Sequence, residues 1–368
     1  MQPPYLESWY RLHLAGVRLD LSSSGVSSYT FGELRDLAGI DGAQLDRVAM
    51  DDSESLGAPD LRQAIADRYT GGDAARVMAT HGSSEAIALA LTAVIRPDST
   101  IAIVEPIYHS LRHFADTLAA KIVPLPLSLF ESGTPDPAEL ESRLAGGVDA
   151  VVVNFPHNPT GIHLSDEGLR ILQDAVSAAG ARLVWDAAFG ELVHRGATGQ
   201  PWRDRQDCVA FGTFSKAFGL PGLRVGWCIA PPDVLERTHA MHDSTTLFLS
   251  PLVELIAAAA MRAADSLIEP RLERARANLD RLVSWSAERP ELVTLRVPDG
   301  GVCCFPGFPT VADTEAFCLD LLASTGLLLI PGEAFGRPGS VRLGFGGPAE
   351  EFAEGLDILA TALGRWAD

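Results

Sequence analysis

Short apolar runs recur through the middle of the chain, at 76–80, 100–105, 121–124, 150–154, 182–186, 208–212 and 225–230. Between several of them the apolar positions fall at helical spacing, as in 59–69, 83–95 and 165–179. Strands apolar on both faces and separated by helices predict an α/β fold, with a mostly parallel sheet covered on each side. From about Ser250 the texture changes. Two long helical patterns, 251–264 and 267–288, precede strand candidates 292–297, 302–305, 327–330 and 341–345 and a last helix near 349–363. That succession reads as a smaller α+β unit. The expected organisation is an N-terminal segment (1–45) packing with the small domain, a large domain (46–245) and a small C-terminal domain (246–368).

Composition narrows the classes of function. The chain has 368 residues, 47% hydrophobic and 21% charged, as in an ordinary globular protein able to bury a large core. The longest candidate for a membrane span, 252–261, is short and interrupted by Glu254, so no membrane association is expected. The first seven residues have neither the basic start nor the apolar core of a signal peptide, and a cytoplasmic setting is expected. A net charge of −19 argues against nucleic acid as a partner and weakly favours a cationic substrate. The five cysteines form no CxxC pair and read as reduced core residues. The histidines form no HExxH pattern, and no metal is expected.

The candidate chemistry centres on a lysine. Only two occur, Lys121 and Lys216, in a chain whose other basic residues are arginines. A primary amine kept at Lys216 points to chemistry that a guanidinium does not do, condensation with an aldehyde. Around it, Thr213 and Ser215 supply hydroxyls and Arg224 follows eight residues on, a grouping suited to an aldehyde that carries a phosphate. Other candidates stand at predicted strand ends, where open parallel sheets bind ligands. Gly82, Ser83 and Ser84 open a helix whose N–H groups suit an anion, although a serine N-cap looks the same. Tyr108 follows Glu105-Pro106-Ile107 and is placed either to stack on a flat ring or to be half-buried. Asn158 lies in the ordered turn Asn154-Phe155-Pro156-His157-Asn158-Pro159-Thr160-Gly161. Asp186 ends an apolar strand, where it either pairs with a protonated ring nitrogen or caps a turn. Arg342 interrupts another apolar strand and wants a carboxylate, from a substrate or from an edge salt bridge.

In this order the motifs resemble those of fold-type I enzymes that use pyridoxal 5'-phosphate, the class I/II aminotransferase superfamily, over nearly the whole chain. The resemblance implies that Lys216 carries the cofactor, Asp186 partners its pyridine nitrogen, Asn158 holds its phenolic oxygen and Tyr108 stacks on its face. It further implies that Gly82, Ser83, Ser84, Thr213, Ser215 and Arg224 bind its phosphate, that Arg342 clamps an amino acid's carboxylate, and that two chains form a homodimer. Two positions depart from the family pattern. Phe189 stands where a tyrosine is common three residues after the aspartate, and 51–56 lacks the tyrosine expected to reach a partner's phosphate. A narrower resemblance is to the capreomycidine synthase group of hydroxyarginine cyclases. It is carried by Ser22-Ser23-Ser24-Gly25-Val26, Thr80-His81-Gly82-Ser83-Ser84-Glu85 and Gly219-Leu220-Pro221-Gly222-Leu223-Arg224-Val225-Gly226-Trp227-Cys228. It implies a guanidino-bearing amino acid as substrate, with loss of a β-hydroxyl and ring closure in antibiotic biosynthesis, and makes Ser24 and Gly25 candidates for substrate contact. Transamination between an amino acid and a 2-oxo acid stays open as the alternative.

Overall fold

The computed structural model describes residues 4–118, 121–196 and 199–367. Residues 1–3 and 368, the outer edges of the first and third expected units, lie outside them. Twelve strands are described: β1 (Leu19–Asp20), β2 (Val77–Thr80), β3 (Thr100–Glu105), β4 (Lys121–Pro126), β5 (Ala150–Asn154), β6 (Arg182–Asp186), β7 (Val209–Thr213), β8 (Gly226–Ile229), β9 (Cys303–Cys304), β10 (Leu327–Leu328), β11 (Ile330–Pro331) and β12 (Val341–Gly344). Seven of them form one sheet in the order β2-β8-β7-β6-β5-β3-β4. β4, β3, β5, β6 and β7 run parallel, whereas β8 is antiparallel to both of its neighbours. Ala150 to Asn154 are all buried, because helices cover both faces of the sheet there, whereas the edge strand β4 is exposed at Lys121 and Pro124.

Helix boundaries follow local signals. Pro59–Tyr69 starts with a proline that needs no N–H partner, and Asp166–Ala178 starts after Ser165, whose hydroxyl accepts from Gly168 N. Glu254 is buried: it takes the Ser53 hydroxyl and the N–H of Ala58 at the start of Pro59–Tyr69, which gives its charge partners inside the protein. No described helix is long and apolar enough to cross a membrane.

The C-terminal strands form a three-stranded sheet, β11-β12-β9, and β1 pairs in parallel with β10. Two expectations need correction here. The candidate 327–330 is two strands, because Leu327 and Leu328 pair with β1 while Ile330 and Pro331 turn to β12. The candidate 292–297 forms only an isolated bridge, Thr294 to Gly307; beyond it Arg296 reaches across to the carbonyl of Glu131 and the segment leaves the ladder. A helix that the pattern did not announce, Tyr5–His13, lies against this region, with Trp9 Nε1 donating to the carbonyl of Leu329 at 3.0 Å.

Candidate active site

The C-terminal ends of β3, β5, β6 and β7 open into four turns that carry Tyr108, Asn158, Asp186 to Phe189, and Lys216. Parallel strands end on the same edge, so these side chains converge although more than a hundred residues separate the first from the last. Ser83, Tyr108, Asn154, Asn158, Asp186, Ala188, Phe189 and Lys216 line one cleft. A larger cavity of about 590 Å³, bounded by His109, Arg112 and Phe335 among others, carries none of the residues singled out for chemistry.

Lys216 Nζ donates to Ser24 Oγ at 2.8 Å. Burial brings its amine down to about 8, with the Arg342 charge pushing the same way. Asp186 moves in the opposite direction: burial pushes its carboxyl up to about 6, although the Ala188 N–H and the Lys216 charge both favour the ionised form. Its register places it beside Asn154 on β5. Asn154, left outside the candidate set, fixes the floor of the cleft: its amide donates to the Asp186 carbonyl at 3.1 Å and its oxygen accepts from Asn158 N at 2.9 Å. Phe189 is buried, and its ring fills the space that a side chain at Gly301 would need, the nearest ring carbon lying 2.8 Å from such a Cβ.

A second group of residues converges at the start of the helix Gly82–Val94. Gly82 has φ +78°, and a Cβ there would lie 2.6 Å from Arg224 Nη2, so only glycine lets the guanidinium approach the helix end. Arg224 Nη1 donates to Ser215 Oγ at 3.4 Å, and Thr213 Oγ1 accepts from Ser215 N at 3.1 Å. A Cβ at Gly226 would press on Gly82 C and Ser83 N at 2.6 Å. A free helix N-terminus, a guanidinium and two hydroxyls on one spot make a cradle for a dianion. Ser84 is exposed.

Arg342 on β12 is 1% exposed, its hydrogen-bond partners are uncharged, and its guanidinium lies over the Phe335 ring. It donates from Nε and Nη2 to the Ser22 carbonyl at 3.2 and 2.9 Å, from Nη1 to Asn158 Oδ1 at 3.3 Å and from Nη2 to the Tyr10 hydroxyl at 2.6 Å. Neither Tyr10 nor Ser22 carried a signal as a site residue in the sequence. Gly25 backs onto the Ser215 carbonyl, which a Cβ would meet at 3.5 Å, whereas Ser24 touches Lys216 itself. The five cysteines are all buried and unpaired. Away from the cleft, His81, Glu85 and His242 bring ligand-type atoms within 4.8 Å of one another, in a chain where the histidine spacing predicted no metal.

Residues 43–359 match the family described as aminotransferase class I and II. The chain belongs to this family. Capreomycidine synthase of Streptomyces vinaceus is 43% identical over 98% of this chain and 94% of its own length. The crystal structure of the PLP-dependent cyclase OrfR superposes with a TM-score of 0.95 at 50% identity, covering 99% of this chain and 98% of that one. Members named for transamination are more distant, such as a PLP-dependent aminotransferase from Streptococcus suis, with TM-score 0.93 at 26% identity and full coverage of both chains.

Proposed function

We propose that this protein is a PLP-dependent cyclase that converts a β-hydroxylated arginine into a cyclic guanidino amino acid, as a step of antibiotic biosynthesis. The observation that carries the reading is the near-complete coverage of the chain by two cyclases, capreomycidine synthase and OrfR, at 43% and 50% identity.

The residues fit pyridoxal 5'-phosphate. Gly82, Ser83, Ser215 and Arg224, with Thr213 behind them, would hold the phosphate, and φ +78° at position 82 favours glycine there. Asp186 is a buried carboxyl with no cation at hydrogen-bond distance, suited to a protonated ring nitrogen. Asn158 would hold the phenolic oxygen and Tyr108 would lie against the ring. Bound there, the cofactor supplies an electron sink for the pair released when the Cα–H bond breaks.

Arg342 receives the substrate's carboxylate and so orients Cα over Lys216. The Lys216 amine, brought down to about 8, is half unprotonated at that pH rather than at 10.5, and it takes the Cα proton. Phe189 presents no hydroxyl where family members commonly do, and it keeps water from that side of the cleft. In the net reaction the Cβ–O bond breaks, a guanidine nitrogen forms a bond to Cβ, one water leaves and a proton returns to Cα. Tethering the nucleophile gives it an effective concentration of about 10⁵ M or more when well oriented.

Mass spectrometry of the PLP-loaded enzyme with 3-hydroxyarginine and no 2-oxo acid tests the reading. The expected product has lost one water and kept its α-amine. A keto acid with aminated cofactor, or no turnover of 3-hydroxyarginine, overturns it. The active form is read as a homodimer, in keeping with the exposed apolar side chains Leu12, Leu14, Phe31, Met50 and Leu247. Light scattering is expected to give the mass of two chains, and a fully active monomer would contradict it. A cytoplasmic setting fits five cysteines that are buried and unpaired.

A further inference from the structure

The helix Tyr5–His13 packs beside the site, where Tyr10 and the half-exposed Glu7 stand one turn apart. Tyr10 takes the Arg342 Nη2 hydrogen bond at 2.6 Å. Glu7, three residues earlier and therefore on the same helix face, brings Oε1 to 3.8 Å from Nε2 of His109, the residue after Tyr108. The His109 ring lies against that of Tyr108, with centroids 4.5 Å apart, so the half-exposed carboxylate stands beside the cleft. Asp186 and Glu7 are the two carboxylates that act on the Lys216 amine, and Glu7 also acts on the Tyr108 hydroxyl.

Glu7 lacks a cation of its own. Among the described residues His109 is the basic side chain within ion-pair distance of it. Burial, reinforced by His113 and Arg342, holds the His109 imidazole down to about 4, so it is neutral at physiological pH. The acids nearest the same turns are already engaged, Glu105 by Arg112 and Glu191 by Arg68. A substrate bound by its carboxylate to Arg342 therefore meets, one helical turn along from Tyr10, a negative charge with no cationic partner. An arginine-type substrate carries its second charge, a planar cation, at that kind of separation from its carboxylate, and a carboxylate is the group that matches it in two parallel hydrogen bonds.

We propose that Glu7 is the residue that receives the substrate's guanidinium and sets the preference for a guanidino side chain. This rests on the function proposed above. Glu7 holds one edge of the guanidinium from the helix, which leaves the other edge to face Cβ for ring closure. Asp186 is committed elsewhere and contributes nothing to this preference.

The test compares the PLP-loaded wild type with Glu7→Gln, titrating L-arginine and L-norleucine and following the cofactor's absorbance. Norleucine offers the same carboxylate and amine without the guanidinium. The expected result is that Glu7→Gln weakens arginine about 10- to 100-fold, the worth of a charge-assisted hydrogen bond, and leaves norleucine unchanged. With 3-hydroxyarginine, KM rises by a similar factor while kcat changes less. A variant that keeps the wild-type preference for arginine overturns the role of Glu7 and leaves the cyclase reading standing. Equal weakening of both ligands overturns it too, since that is damage to the helix. A wild type that does not distinguish arginine from norleucine brings down the guanidino-substrate reading, and this proposal with it.

Discussion

Lys216→Ala abolishes turnover, with a fall in kcat of about 10⁴-fold or more, the upper range for losing a positioned general base. The geometry leaves no substitute. Of the chain's two lysines the other, Lys121, starts β4 on the far side of the sheet, and the buried imidazole of His157 is spent on Thr160 and the Pro106 carbonyl. Lys216→Arg is expected to fail as badly, because a guanidinium stays protonated and cannot take a proton from carbon. The measurement is exchange of the Cα proton of bound L-arginine with deuterated solvent, followed by NMR. That reading isolates the proton transfer from ring closure and from product release. Exchange in Lys216→Ala at more than about a hundredth of the wild-type rate would assign the base to another group.

Asp186→Asn is expected to lower kcat by about 10²–10³-fold, the usual effect of removing one pre-organised electrostatic partner from a site. The same substitution has a signature in the protein without cofactor. The Asp186 carboxyl lies at about 6 when folded against 3.8 for an ordinary aspartate, so the folded state holds its proton more tightly. The stability this contributes is fully present below 3.8 and is lost as pH rises through 6. About two units correspond to a loss of roughly 3 kcal/mol at most across that window. Lys216 acts in a separate range: held at about 8 against 10.5, its contribution is present above 10.5 and is lost as pH falls through 8. Urea unfolding of both apoproteins at pH 4 and pH 7 is therefore expected to show the wild type losing stability relative to Asp186→Asn, since groups that shift the other way, such as His109, are common to both. An equal pH response in both proteins would remove Asp186 as its source.

The large sheet was legible because its strands are apolar on both faces and end in turn residues. Ala150 to Asn154 and Arg182 to Asp186 have the bounds that the pattern implies, and the polar residue closing each run is a site residue. The antiparallel course of β8 was not legible, since a buried strand has the same apolar composition in either direction. The helix Tyr5–His13 was missed for a related reason. A helix of nine residues is marginal alone, and this one is held by Leu6 and Trp9 docking on a surface made more than three hundred residues later.

The chemistry of the site is written locally: a lone lysine between hydroxyls and an arginine, an acid at a strand end and a glycine before a helix each carry their reason in their neighbours. What they are aimed at is not. Lys216 meets Ser24 across 192 positions, and Arg342 meets Tyr10 across 332. These pairings depend on β1 joining β10 and on where the first helix settles, and such distant contacts form only when the whole core packs. By itself the sequence determined the sheet and set Lys216 and Asp186 at the ends of its strands, because each follows from period and turn chemistry. Only the tertiary structure decided that Tyr10 on the N-terminal helix meets Arg342, and hence that Glu7, one turn earlier, stands beside His109, because that helix docks on residues far along the chain.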